Sequence, residues 1–302
     1  LFIDSSSPIL DSVLVKTNYS LQGAGIYVRS SNGSNSVVIR NTDIETNSLT
    51  VDATELRQGA GIYSLNSDLE IENVTISNNN ASGGKGGGIM VINDTAGGRI
   101  DSQNDFSSIQ LNNNQAESGG GIYFSTNTMN TMDDVVVTQN EADQDGGGIY
   151  TETGAGLLIL NSTIADNTAG GSGSGLYIQD DTSGPVIVNS IVWGNTMELE
   201  NIDETHIYIA YSNIEDIYDS DSGEWFSGFD DGQVNYNESD FSGTNLDIEP
   251  QFVNPDSLDY RLMSSSPCIN TATDNLDFSN AGIALGYDAM SDAFDPIVDL
   301  AL

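Results

Sequence analysis

Basic residues are almost missing from this sequence. Lys and Arg number 7 against 45 Asp and Glu in 302 residues, for a formal net charge of −38. Phosphate binding needs clustered Lys and Arg, so a nucleic-acid partner is excluded. An anionic membrane surface repels such a chain for the same reason. No apolar run approaches the ~20 residues of a membrane span, so no insertion into a membrane is expected. The single cysteine, Cys268, cannot close an intrachain disulfide. Its apolar Pro-Cys-Ile setting reads as a buried structural thiol. The single histidine, His206, rules out a zinc centre of several histidines and reads as a turn residue. There is no initiator Met and no signal peptide. The chain opens at Leu1-Phe2-Ile3 as though cut from a longer precursor.

Small polar residues take the place of what is scarce: 31 Asn, 31 Asp and 32 Gly. All three are poor helix formers, which turns the search toward strands and turns. Six copies of Gly-x-Gly-(Ile/Leu)-(Tyr/Met) follow, from Gly23-Ala24-Gly25-Ile26-Tyr27 to Gly173-Ser174-Gly175-Leu176-Tyr177. Their last glycines lie 36, 27, 33, 27 and 27 residues apart. A second string, an aliphatic residue followed three positions later by Asn, keeps register with the first. Its asparagines are Asn18, Asn47, Asn79, Asn114, Asn140, Asn167 and Asn195.

A copy of this length holds about three short strands and cannot bury its own apolar face, so the copies must stack. The fold expected is all-β, a right-handed parallel β-helix (solenoid) of about seven to nine coils with an irregular C-terminal cap. Residues 1–210 form the coils. Residues 211–302 form degenerate last coils and an acidic cap region. Equivalent residues lie one above another in such a fold. The seven asparagines then form a structural ladder of stacked amides. The glycines supply positive φ or close backbone approach at the corner before the strand.

Several strings are similar to those of bacterial surface proteins. The Gly-Gly-Gly-Ile-Tyr and Asn repeats resemble polymorphic outer membrane proteins and related right-handed β-helices. Asn189-Ser190-Ile191-Val192-Trp193-Gly194-Asn195, Pro250-Gln251-Phe252-Val253-Asn254-Pro255 and Ser266-Pro267-Cys268-Ile269-Asn270 look like the choice-of-anchor Q region that ends many such proteins. The resemblance implies an extracellular, cell-surface location and a structural or adhesive role.

Chemistry is harder to find. A polysaccharide lyase needs a base and cations to hold an anionic polymer, which seven basic residues do not provide. A glycoside hydrolase needs two carboxylates across one bond. Asn41-Thr42-Asp43 and Gln179-Asp180-Asp181 resemble polygalacturonase strings, but about five coils separate them. No catalytic residue is therefore assigned. A carbohydrate-active β-helix enzyme or a glycan-binding module stands as the alternative. No motif requires a cofactor. Ca²⁺ is the one ion the acidic clusters suit, with Asp219, Asp221, Glu224, Asp230 and Asp231 as its candidate ligands. Period-2 alternation points Tyr27, Tyr63, Tyr123, Tyr150, Tyr177 and Tyr208 away from the core. Two readings follow: the rings stack on one another and stabilise the rod, or they form a surface aromatic column able to stack on sugars or on another protein. The function expected is a non-enzymatic extracellular adhesin or structural subunit of a filament or sheath. Its partners are other copies of the chain, end to end, or cell-surface glycans.

Overall fold

The computed structural model describes residues 1–30, 36–50, 58–94, 102–179, 185–200, 208–219, 224–227, 245–269 and 271–272. The chain winds as a parallel β-helix, and each coil carries four strands where the sequence suggested three. The Gly-Ile-Tyr strand comes first, as in Ile62–Leu65, Ile89–Ile92, Ile122–Phe124 and Ile149–Thr151. A longer strand follows, as in Asp68–Glu72, Ser102–Ser107 and Thr128–Asp133. The Ile-x-x-Asn strand is third, as in Thr75–Ser77 and Gln110–Asn112. A short strand such as Asn80–Lys85 or Gln115–Ser118 closes the coil.

Each strand pairs in parallel with its equivalent one coil on. The register is the one the repeat implies, with Ile62 beside Ile89, Ile89 beside Ile122, and Ile122 beside Ile149. The longer strands form an eight-stranded sheet and the short ones a six-stranded sheet. The tyrosine and asparagine sheets merge at Ile191–Glu200, whose two halves pair with Leu176–Gln179 and Thr163–Ala165. A run of 27 or so residues thus becomes one rung, and no rung is complete without its neighbours.

The lumen is filled by inward-facing aliphatics. Ile26, Ile62, Ile89, Ile122, Ile149 and Leu176 form one fully buried column. Ile44, Ile76, Leu111, Val137, Ile164 and Val192 form another. Corners fall where short polar residues tolerate the left-handed region. Asn41, Asn73, Ser108, Asp134, Asn161 and Asn189 turn the chain between the longer strand and the Ile-x-x-Asn strand, all at φ between 49 and 56°. Every described base is paired with an acid, three of the five pairs crossing from one coil to the next near the first rungs: Lys16–Glu45, Arg29–Asp4 and Arg40–Asp11.

Parallel pairing runs on past residue 210, as degenerate last coils imply: Ile191–Glu200 also pairs with Asn213–Asp219, and Asn213 bridges to Leu246. Part of the C-terminal region lies along the flank of the rod. There Phe252–Asn254 and Asp259–Leu262 form an antiparallel pair. The Tyr260 hydroxyl donates to Asp166 Oδ2 at 2.7 Å, and Gln139 Nε2 donates to the Pro255 carbonyl at 3.1 Å. Both anchors are corner residues of earlier coils, so this part is strapped sideways onto the stack.

Candidate functional site

The asparagine corner is the most regular polar feature. Asn47, Asn79, Asn114, Asn140 and Asn167 are buried almost completely. Each Nδ2 donates to the Oδ1 of the next asparagine, in the steps Asn18–Asn47–Asn79–Asn114–Asn140–Asn167–Asn195, at 2.8–3.0 Å. Each Oδ1 from Asn47 to Asn195 also accepts the backbone N–H of the asparagine before it. The second Nδ2 hydrogen goes to a carbonyl one coil back, from Asn47 to Val15 and from Asn140 to Leu111. The amide's two donors and its carbonyl acceptor are thereby used, which is what a dry interior demands. A second, shorter step inside the lumen, from Asn104 Nδ2 to Asn130 Oδ1 at 3.0 Å, escaped the sequence reading. Its signal is an Asn at the third position of Ser102–Ser107 and of Thr128–Asp133.

The tyrosine column requires a correction. The rings do turn away from the lumen, but they are not an open platform. Tyr63, Tyr123 and Tyr177 are buried, and Tyr27 and Tyr150 are half-buried. Tyr208 is not part of the column: it stands in the long-strand sheet beside Val186, and Glu198 takes the place next to Tyr177. Strand stacking brings the rings so close that each covers the next. Centroids are 5.2 Å apart for Phe2–Tyr27, 4.9 Å for Tyr27–Tyr63, 4.5 Å for Tyr123–Tyr150 and 4.9 Å for Tyr150–Tyr177. Leu65 and Ile92 pack against them and finish a second, small apolar cluster.

The column is interrupted once, where Met90 stands between Tyr63 and Tyr123. An open cleft of about 390 Å³ lies at that break, lined by Met90, Ile92, Lys85, Glu152 and Asp94 among others. Lys85 Nζ sits 4.4 Å from the Tyr123 ring centroid and donates to the Tyr123 hydroxyl and to Glu152 Oε1. The Tyr123 hydroxyl in turn donates to Glu152 Oε1. Burial pushes the Tyr123 pKa far up, and the hydrogen bond to Glu152 adds to it. Tyr123 therefore keeps its proton and is a donor, not a phenolate base, although a Lys beside a Tyr invites that reading.

The candidate Ca²⁺ ligands are not brought together in anything described. Asp219 and Glu224 are neighbours across an antiparallel pair, their side chains undescribed, and Asp221, Asp230 and Asp231 lie outside the described residues, as does His206. Among the described residues no group of three or more His, Cys, Asp or Glu side chains is placed to hold a metal. Cys268 is half-buried against Asn213, and burial pushes its thiol pKa up, the opposite of activation.

Carboxylates do crowd on the outer face of the long-strand sheet, where Asp105 faces Glu70 in register. Loss of water around Asp105 raises its pKa, and the charges of Glu70 and Asp133 raise it further. Stability from this group is full below the ordinary Asp range of ~3.9 and is lost as pH rises through the raised value. Asp105→Asn should therefore raise the melting temperature near neutral pH by about 1–2 °C. That gain should vanish in acid, as thermal melts over a pH series will record.

No family model matches the chain, and neither a curated protein nor a solved structure matches it at a significant level. The class that the geometry defines is a parallel β-helix solenoid with a hydrogen-bonded polar corner.

Proposed function

We propose that this chain is a non-enzymatic, extracellular structural or adhesive element, a stiff β-rod that continues lengthwise by stacking with further copies of itself. The observation that carries this reading is the stack: every strand in the body of the rod is completed by the coils on either side. Backbone edges of paired strands recruit further strands readily, so a stack of this kind can grow by adding an equivalent coil. A surface location is supported by the resemblance to bacterial surface β-helices, and the −38 charge suits a protein that must stay dispersed outside the cell.

Electron microscopy of the purified chain over a concentration series tests this. Rods should lengthen with concentration beyond the roughly 38 Å of eight stacked coils. Ile9→Lys with Leu14→Lys, which charges two exposed apolar positions of the coil over residues 1–20, should return them to single stacks. Single stacks at every concentration would overturn the assembly reading.

A further inference from the structure

The break in the tyrosine column is a difference between coils, and differences are where a repeat protein can hold a ligand. Five coils place a tyrosine at this position and one places Met90, and the cleft lies beside that shorter side chain. The cleft has an apolar floor in Ile92, with Met90 buried beneath it, and an oxygen-rich rim. On the rim, Asp94 is held by Asn66, and Glu152 is fixed by Tyr123, Lys85 and the Thr126 N–H. Beneath it, Asn93 is 2% exposed, with its Nδ2 committed to the Asn127 carbonyl at 2.7 Å. The Asn93 Oδ1 has no donor among the described residues. A buried acceptor left this way is costly, and a small rotation of the 93–94 turn would offer it to a hydroxyl entering from the cleft.

We propose that this cleft is a binding subsite for a neutral pyranose unit of a glycan. Its size lies in the range of small-ligand sites, and its few polar groups converge over an apolar floor. Acceptors outnumber donors on the rim, which suits a ligand rich in hydroxyl hydrogens. Lys85 is offset by Glu152, and Asp94 adds a further negative charge, so an anionic sugar is repelled where a neutral one is not. The C–H face of the ring lies on Ile92, with Met90 beneath, and the Lys85 ammonium donates to a ring or hydroxyl oxygen. The proposal gives the adhesive part of the reading above its partner class and rests on that part alone.

The test uses the whole chain and four tetrasaccharides: maltotetraose, cellotetraose, mannotetraose and tetragalacturonate. At least one neutral tetrasaccharide at about 5 mM should shift the Met90 methyl resonance. Tetragalacturonate should not. Met90→Tyr completes the column as in the other coils, so it should keep the melting temperature and weaken binding at least tenfold by calorimetry. Asp94→Ala, a second variant at the rim, should weaken it several-fold. No shift with any neutral sugar, tighter binding of tetragalacturonate, or unchanged affinity in Met90→Tyr would each overturn the proposal. Rods that still lengthen with concentration in that event would leave the assembly reading standing.

Discussion

Asn140→Leu is expected to destabilise the protein by roughly 3–5 kcal/mol, a large part of the stability of an ordinary domain. Asn140 is fully buried and accepts from both the backbone N–H and the Nδ2 of Asn114, each at 3.0 Å. It donates to the Leu111 carbonyl and to Asn167 Oδ1, also at 3.0 Å. Leucine has nearly the same volume, so the loss is not one of packing. It strands the Asn114 N–H and weakens three further groups in a region that water does not reach. Asn140→Asp separates the two halves of the argument. A carboxylate still accepts from Asn114 but cannot donate, and it sets a buried charge against two oxygens. Its destabilisation should be at least as large at neutral pH and should ease in acid, where the raised pKa of a buried carboxyl restores one donor. Chemical denaturation of the three proteins at two pH values measures both effects.

Gly121→Ala should produce the second large loss, about 3 kcal/mol or more, for a steric reason. A Cβ at Gly121 would lie 2.5 Å from the carbonyl oxygen of Gly148 in the next coil, and 3.2 Å from Asn140 Nδ2 and Val137 Cγ1. The colliding atom is a backbone carbonyl held by the N–H groups of Gly121 and Ile122, so it cannot swing away as a side-chain tip would. The first glycine of the same motif does a different job: Gly119 sits at φ +65°, which an L residue rarely adopts. Gly154 gives the contrast. It too has a positive φ, +79°, but a Cβ there meets nothing within 4 Å. Gly154→Asn, with a side chain that tolerates this region, should change the stability by no more than ~1 kcal/mol. Equal losses at Gly121 and Gly154 would mean that backbone conformation, and not contact between coils, explains the glycines.

What repeats was legible in the sequence, and what differs between coils was not. The recurrence of Asn18 through Asn195 three positions after an aliphatic residue leads directly to a ladder, because equivalent positions of a solenoid stack on one another. The two glycines of each motif were legible as a corner, though their division of labour needed the φ values and the distance to the next coil. The tyrosines could be assigned a direction from alternation. Their burial depends on ring-to-ring distance and on Leu65 and Ile92, which no periodicity marks. The cleft at Met90 joins Lys85, Asp94 and Glu152 from three different coils, and their sequence separations follow no rule because coil lengths vary. The fold-back that sets Tyr260 against Asp166 links positions 94 residues apart. Such a contact comes from the path of an irregular segment, on which repeat arithmetic is silent.

The central claim is that a buried, fully bonded asparagine column locks the coils in register. Hydrogen exchange of the asparagine side-chain amides, resolved by nuclear magnetic resonance, tests it most directly. The Nδ2 hydrogens of Asn47, Asn79, Asn114, Asn140 and Asn167 should exchange only with global unfolding, alongside the backbone amides of Ile62 and Ile122. Side-chain amides that exchange at the rate of exposed asparagine while those backbone amides stay protected would contradict the account.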